Sequence, residues 1–283
     1  MFRIVALIML FMIMAFTVVT NLAARQTGQA GFNPVRAVGQ FISRSLNGAD
    51  KLAPDLSGAI GKVEVALPKI VGGAQESQAP AFAVRDLSGA NFSGQNHPKA
   101  NFGGVIANGA VFSNALLDGA TFEGAAGDGA TLKRTRLADA IFNAARFRRA
   151  DFTEAELRAA SFRAADVSGA SFAGADITFA SFSTAVAEGA DFTGAYGTGA
   201  MMKDAQLAGA KFAGSTLTGV KFSGANLAGA TFGNAKIDAA DFSGAKLHGA
   251  DLSGVVGAAP EQFAKSCGDA KTRLPQGLVA PVC

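Results

Sequence analysis

The sequence predicts an all-β solenoid in which the chain turns a corner every five residues. Stepping by five from Leu87 to Leu252 gives 34 units without a change of phase. The centre of the unit is Phe, Leu, Ile, Val or Met in 29 units, and Ala stands two residues before it in 28. An α-helix requires a period of 3.6 residues and a strand a period of 2, so neither explains the pattern.

The corners are indicated by the position two residues after each centre. This position is Gly in 20 of the 34 units and Asn at Asn114 and Asn234. These residues tolerate a positive φ, as the third position of a type II turn requires. Gly is absent here from 134 to 164, which suggests different corners in that stretch, and Gln95 to Lys99 suggests a small loop that interrupts the repeat.

Units such as Ala150-Asp151-Phe152 and Ala225-Asn226-Leu227-Ala228-Gly229 resemble the pentapeptide-repeat family, and the resemblance extends from 85 to 257. It implies a right-handed quadrilateral parallel β-helix with four units per coil. Residues 20 apart would then stack at about the 4.8 Å spacing of neighbouring strands. Outward charges at this offset are mostly of opposite sign, with Glu156/Asp176 as the exception. The predicted pairs are Asp128/Arg148, Arg134/Glu154, Arg136/Glu156, Arg146/Asp166, Asp191/Lys211 and Lys221/Asp241.

The core is predicted from the centres, where Phe favours every tenth position. Two opposite sides of the coil would carry Phe stacks and the other two aliphatic stacks. We expect large residues to face small ones across the bore, which would fill it without voids. The predicted stack comprises Phe92, Phe102, Phe112, Phe122, Phe142, Phe152, Phe162, Phe172, Phe182, Phe192, Phe212, Phe222, Phe232 and Phe242.

The first 24 residues indicate export. Arg3 precedes an apolar stretch from Ile4 to Val19, and small residues follow near position 24. This pattern is typical of a signal peptide, but residues 4–24 are also long enough to span a bilayer as an anchor. Both alternatives stay open, and both place the rest of the chain outside the cytoplasm, either membrane-anchored or periplasmic or secreted.

Residues 25–84 do not repeat and are predicted as a linker region with a short helix. Asn33-Pro34 can open that helix and Asn47-Gly48 can close it. The predicted solenoid spans 85–257, and residues 258–283 form a predicted cap and tail. Pro260 to Lys265 predicts a second short helix, with Phe263 covering the last coil.

Cys267 and Cys283 are the only cysteines. The segment between these two cysteines resembles the C-terminal tail of envelope members of the family. An exported chain also meets oxidising conditions. A Cys267–Cys283 disulfide is therefore our hypothesis. Two further zinc ligands are not evident, so we predict no metal site.

No catalytic or cofactor-binding set is visible in the sequence. His97 falls in the expected loop, and His248 follows the Leu247 centre and should point to solvent. Both histidines are interpreted as structural or solvated. The Gly-rich stretches recur with period five and open no helix, so they are not phosphate-binding loops.

Two surface features suggest a place for an interaction. The first is a basic stretch from Lys133 to Arg163, in which Lys133, Arg149, Arg158 and Arg163 have no partner at the one-coil offset. The second comprises outward apolar residues, some of them beside small centres such as Gly197, where the coil could be distorted and the neighbour turned inward. These residues are Ile106, Ile141, Phe179, Val186, Tyr196 and Met201. Phe179 and Tyr196 are candidates for a protein contact.

The sequence thus predicts a non-enzymatic envelope protein, a rigid interaction scaffold or spacer without a cofactor. Its partner would be another protein or an envelope component. An alternative follows from the resemblance, because some members of the family mimic DNA and modulate type II topoisomerases. That role implies an acidic rod, whereas residues 85–256 hold 15 basic and 16 acidic side chains, a balance that also disfavours nucleic-acid binding.

Overall fold

The structure, a computed structural model, describes residues 86–283. From Asp86 to Val256, residues 20 apart in the chain form parallel β-bridges, beginning with Asp86↔Ile106 and ending with Lys236↔Val256. Four consecutive bridged residues therefore complete one coil, and each strand is a single bridged residue on one face. The four-sided coil predicted from the sequence is confirmed by this register.

Each five-residue unit repeats one set of backbone hydrogen bonds. In the first coil, the amide of Phe92 donates to the carbonyl of Val111 in the next coil at 2.7 Å, and Val111 donates back to Ala90 at 2.9 Å. The amide of Gln95 donates to the carbonyl of Phe92 at 3.1 Å and closes the corner. The residue before the centre thus faces outward, while the centre and the Ala position face the bore.

The bore is filled by two columns of stacked Phe rings. Rings in adjacent coils of one column lie nearly parallel, as between Phe142 and Phe162, whose centroids are 4.6 Å apart. Every predicted stack residue is buried. The buried set comprises Phe92, Phe102, Phe112, Phe122, Phe142, Phe152, Phe162, Phe172, Phe182, Phe192, Phe212, Phe222, Phe232 and Phe242.

The expectation that large residues face small ones across the bore is wrong. Rings half a coil apart meet edge to face, as between Phe172 and Phe182 at 5.3 Å and 89°. The two Phe columns stand on opposite sides of the coil and touch at the centre, and the aliphatic columns occupy the other two sides. Edge-to-face contact is a favoured arrangement for aromatic pairs, so opposite Phe residues fill the bore without a small partner.

The corners between 134 and 164 do not differ from the others. All seven non-glycine residues at the corner position there keep a positive φ of 53–58°. These residues are Arg134, Asp139, Ala144, Arg149, Glu154, Ala159 and Ala164. The corner at 233–234 does depart from the pattern, because the positive φ falls on Gly233 rather than on Asn234.

The expected interruption at 95–99 is also absent. Asn96 pairs with Leu116 in the usual register, and the amide of His97 donates to the carbonyl of Leu116 at 2.9 Å. Lys99 takes the corner conformation with a φ of 58°. The repeat therefore runs through this segment, with Gln95, His97 and Lys99 at the positions that Ala, a large apolar centre and Gly occupy in most other units.

The last coil is covered by a short helix, α1, Pro260–Phe263. Phe263 is buried and its ring continues a Phe column, with its centroid 5.1 Å from that of Phe242. The side chain of Gln262, also buried, donates to the carbonyls of Ile237 at 2.7 Å and Ala240 at 3.0 Å. Gln262 thus satisfies the carbonyl of Ala240, which a further coil would otherwise reach. It also adds a second donor to the carbonyl of Ile237, which already accepts the amide of Ala240 at 3.0 Å.

The predicted N-terminal elements lie outside the described residues. They comprise the signal or anchor segment at 4–24, the helix after Asn33 and the linker that ends before residue 85. Within 86–283, no helix has the length and apolarity needed to cross a membrane.

Candidate functional site

The basic stretch is tied into ion pairs between coils. Its pairs join residues 18 apart, among them Lys133–Asp151 and Arg146–Asp128, each at 3.0 Å. Further pairs of the same offset are Arg136–Asp118, Arg148–Asp166 and Arg158–Asp176. In each of them, the residue after one centre meets the residue before the centre directly above, so the pairs run diagonally across a face.

The predicted offset of 20 is wrong for most pairs. Of the six predicted, only Arg136–Glu156 forms an ion pair among the described residues, at 3.9 Å. Asp128 shows the reason. One of its carboxylate oxygens accepts the backbone amide of Arg148 at 3.2 Å, and the other accepts Nε of Arg146 at 3.0 Å. The residue stacked directly above therefore offers its backbone, and the diagonal residue offers its charge.

This diagonal pairing corrects the expectation for the surface. Lys133 and Arg158, predicted to lack partners, are paired with Asp151 and Asp176. Arg149 and Arg163 have no ion pair within 86–283. Arg149 stands at a corner and Arg163 on a different face, because the stretch wraps around the rod for about one and a half coils. The described residues therefore form no single cationic face.

Three of the paired carboxylates, those of Asp151, Asp166 and Asp176, have lowered pKa values, which favour the charged form. Partial burial acts to raise the pKa of Asp176, but hydrogen bonds from Thr178 and Arg158 outweigh it and the pKa is lowered. The pKa of Asp166 is lowered in the same way, against partial burial, by Ser168 and Arg148. The pKa of Arg158 is raised by its hydrogen bond with Asp176.

The outward apolar residues stay outside, and the coil is not distorted beside them. Exposure reaches 64% for Phe179, 59% for Tyr196 and 44% for Met201. Tyr196 keeps its bridges to Asp176 and Thr216, although its neighbouring centre is Gly197. The expected inward rotation is therefore wrong at these positions, as it is for the exposed Ile106 and Ile141.

Phe179 is unusual in both its backbone and its exposure. It occupies a corner with a φ of 58°, a conformation that is an outlier for a bulky side chain. Its ring lies over Gly199 in the next coil, where a Cβ would come within 2.6 Å of ring carbon Cε1. The glycine thus provides the space on which the exposed ring rests. Strained residues of this kind concentrate at functional sites.

We define the Tyr196 face as the side of the rod formed by the bridged column through Tyr196 and the corner column through Phe179. The bridged column begins with Asn96 and Leu116, and from there toward the C-terminal end it reads Arg136, Glu156, Asp176, Tyr196, Thr216, Lys236 and Val256. Beside it, the residues after each centre include Arg158, Thr178, Thr198, Thr218 and Asp238. The middle of this face is therefore uncharged above Asp176, and charges lie toward both ends.

The Cys267–Cys283 disulfide is confirmed, with the two Cα atoms 4.9 Å apart. The carbonyl of Cys267 accepts the amide of Leu247 at 2.7 Å, and Cys267 bridges Lys246, so it occupies the place of a next coil. The carbonyl of Arg273 accepts the amide of Leu252 in the same way. The disulfide therefore fastens the end of the chain to a segment that covers the last coil.

Polar cap residues that the sequence did not reveal complete this cover. The carboxylate of Asp269 accepts the amide of Gly249 at 2.9 Å, and the hydroxyl of Thr272 donates to the carbonyl of Leu247 at 2.8 Å. Their spacing of three residues is a turn pattern without period five, so the repeat gave no signal for them.

The described residues offer no arrangement typical of catalysis. Burial lowers the pKa of His97, and its Nε2 lies 2.9 Å from Oε1 of Gln95. His248 is partly exposed on an outward position. Between residues 86 and 283, no group of three or more His, Cys, Asp or Glu side chains could hold a metal ion.

A family model described as Pentapeptide repeats matches the chain in eight copies, which together cover more than half of it. The matched residues are 86–124, 130–169, 155–194, 175–214 and 215–254. A comparison with curated protein sequences gives no match.

Several solved structures are similar to the chain. One is HetL, a pentapeptide repeat protein involved in heterocyst differentiation regulation from the cyanobacterium Nostoc, with 20% identity, a TM-score of 0.26, and coverage of 70% of this chain and 94% of that one. Another comes from the Arabidopsis thaliana thylakoid lumen, with 33% identity, a TM-score of 0.28, and coverage of 35% and 71%. A third is QnrB1, a plasmid-mediated fluoroquinolone resistance protein, with 22% identity, a TM-score of 0.31, and coverage of 59% and 86%.

Proposed function

Because the chain belongs to the pentapeptide repeat family, we propose that it is a non-enzymatic rod that acts as an interaction scaffold or spacer in the cell envelope. The regular register supports the scaffold role. Every outward side chain from 86 to 256 is fixed at a multiple of five residues along a hydrogen-bonded coil. Such a surface can present side chains at set distances without ordering its backbone on binding.

The observation that carries the envelope location is the Cys267–Cys283 disulfide. Disulfides form and persist in oxidising compartments outside the cytoplasm. The apolar stretch from Ile4 to Val19 supports the same location, since it is typical of an export signal or an anchor. Both ends of the chain thus favour export independently, one by sequence pattern and the other by covalent geometry.

Cell fractionation of the full chain with a C-terminal tag tests this proposal. We expect the tag outside the cytoplasm and no free thiols in the unreduced protein. Mass spectrometry of the N-terminus then separates the two alternatives, because an intact residue 1 indicates an anchor and a start near residue 25 indicates a cleaved signal. A tag in the cytoplasm together with two free thiols would refute the envelope role.

The topoisomerase alternative requires continuous rows of acidic residues along the rod, as on a DNA duplex. Asp166 and Asp176 lie on two neighbouring faces, and both are paired with arginines of the preceding coil. Supercoiling by a type II topoisomerase in excess purified protein measures the alternative directly. We expect no change in supercoiling, and inhibition or protection of the enzyme would favour the alternative.

A further inference from the structure

The Tyr196 face has exposed aromatic side chains in its middle and charged side chains at its two ends. The charges of each column differ in sign between the two ends. Two coils below Tyr196 lie Glu156 and, after the next centre, Arg158. Two coils above it lie Lys236 and Asp238. The sign of the charge therefore reverses along each column. It changes from negative at Glu156 to positive at Lys236 in the bridged column, and from positive at Arg158 to negative at Asp238 in the column beside it.

This pattern is self-complementary under a two-fold rotation. Suppose that a second rod lies antiparallel on this face and that the two-fold axis lies in the interface, perpendicular to both rods, at the coil of Tyr196. Each column then faces the same column of the second copy in reverse order. A residue a given number of coils below the axis faces the residue that number of coils above it. Glu156 then faces Lys236 of the second copy, and Arg158 faces Asp238 of the second copy. Tyr196 faces its own equivalent at the axis. This geometry defines an isologous interface, in which one patch serves both copies.

The apolar residues fit the same arrangement. Phe179 lies one coil below the axis at the corner column, and Gly219 lies one coil above it in that column. The rotation therefore places the exposed ring of Phe179 over Gly219 of the second copy, a position with no side chain. Phe179 rests on Gly199 of its own chain on one side, so its ring would be enclosed between two glycine corners.

We propose that the protein forms an antiparallel homodimer through the Tyr196 face, centred on Tyr196 and anchored by Phe179. This accounts for a bulky exposed ring at a corner where φ is positive, which otherwise disfavours Phe for both backbone and solvation reasons. The charges at both ends of the face are exposed in one copy. Side-chain exposure reaches 63% for Glu156 and 70% for Arg158, so both are accessible to a second copy even though Arg158 also pairs with Asp176 of its own chain.

The size of the face predicts a weak association. Five coils at about 4.8 Å and four residues at about 3.3 Å give a footprint of about 24 by 13 Å. The corresponding area of about 310 Å² lies well below the roughly 800 Å² per partner of a standard interface. The dimer should therefore depend on concentration and on salt, because exposed ion pairs are screened.

Sedimentation of the full chain, purified as it accumulates in the cell, over a concentration series tests the proposal. We expect a monomer–dimer equilibrium that Phe179→Ser weakens at least tenfold. Ile106→Ser is the matched control, since it removes an exposed apolar residue from a different face, and it should leave the equilibrium unchanged. A monomer at all concentrations, or equal effects of the two variants, would overturn the proposal.

Charge reversal tests the antiparallel arrangement. Glu156→Lys alone should weaken the dimer, and adding Lys236→Glu should restore it, since the two positions face each other across the axis. A parallel dimer would place Glu156 opposite Arg158 and Lys236 opposite Asp238, so the double variant would then be weaker than the single one. Thermal unfolding of each variant confirms that the rod itself is intact, and failure of the double variant to recover would overturn the antiparallel arrangement.

Discussion

The ring of Phe147 lies where a side chain at Gly127 would have to stand. A Cβ at Gly127 would come within 2.3 Å of ring carbon Cε1 of Phe147, one coil above. Phe147 is the one Phe in an otherwise aliphatic column of the described solenoid, and the missing side chain below it provides the volume. The two residues therefore compensate for each other, because the large ring of Phe147 occupies the space that a side chain at Gly127 would take.

Gly127→Ala should lower the free energy of unfolding by about 1–3 kcal/mol, because overpacking a filled core forces the neighbours to move. Urea denaturation measures this loss. Adding Phe147→Leu should recover part of it, since the smaller side chain leaves the ring space vacant. If the double variant is as unstable as the sum of the two single variants, the compensation does not exist.

The non-glycine corners predict that glycine would stabilise the rod. Ala144, Ala159 and Ala164 keep a positive φ of 53–55°, which disfavours a residue with a Cβ by about 1–2 kcal/mol. Replacing each by Gly should raise the free energy of unfolding by up to about 1 kcal/mol, after the larger unfolded-state entropy of Gly is subtracted.

Ala145→Gly is the control for that series, because Ala145 is buried in the bore and its φ is not positive. It should destabilise the protein, and denaturant midpoints of all four variants are to be compared. A stabilising Ala145→Gly would show that corner strain is not the cause.

The disulfide is expected to protect the last coil rather than the whole rod. With Cys267→Ser and Cys283→Ser, the amides of Leu247 and Leu252 should exchange faster with solvent, because their acceptors lie in the cap. A bridge over a sequence separation of 16 contributes about 3 kcal/mol in the chain-entropy model.

Hydrogen exchange with residue resolution measures this effect, and the amide of Phe172 in the middle of the rod serves as the internal control. Equal acceleration at Phe172 would mean that the cap and the coils unfold as one unit.

Acid should weaken the rod through its ion-paired carboxylates. The pKa values of Asp151, Asp166 and Asp176 are lowered, so the folded chain binds these protons less tightly than the unfolded chain. Their contribution is fully present above the ordinary Asp pKa of about 3.9 and is lost as pH falls through the lower folded-state values.

Melting temperatures between pH 7 and pH 2 measure this loss. Asp176→Asn should be slightly less stable at pH 7 and less sensitive to acid. An unchanged pH profile in this variant would exclude Asp176 as a contributor.

The period-five pattern was enough to predict the coil, its corners and the inward positions, because each of these depends on local spacing. The partners of outward charges were not predictable in the same way. Whether Asp128 meets Arg146 or Arg148 depends on which neighbour offers its backbone amide, and stacking alone does not show this. The contact of Phe172 with Phe182 was missed because the width of the bore is not encoded in the order of the centres.

The cap was predictable only in outline. Phe263 continues the repeat chemistry and was visible as a large residue after the last unit. Gln262 was not, because its function is to satisfy the carbonyl of Ala240, which only the end of the solenoid leaves open.

Parallel bridges join each coil to the next. The rod can therefore change length by whole coils, but not by single five-residue units, without breaking the alignment of its columns. Insertion or loss of one whole coil would lengthen or shorten it by one layer and leave every column aligned. Insertion of a single unit would turn all later faces by a quarter, and the Phe columns would continue as aliphatic ones. Related rods should therefore differ in length by whole coils, and the coils should be interchangeable as structural units.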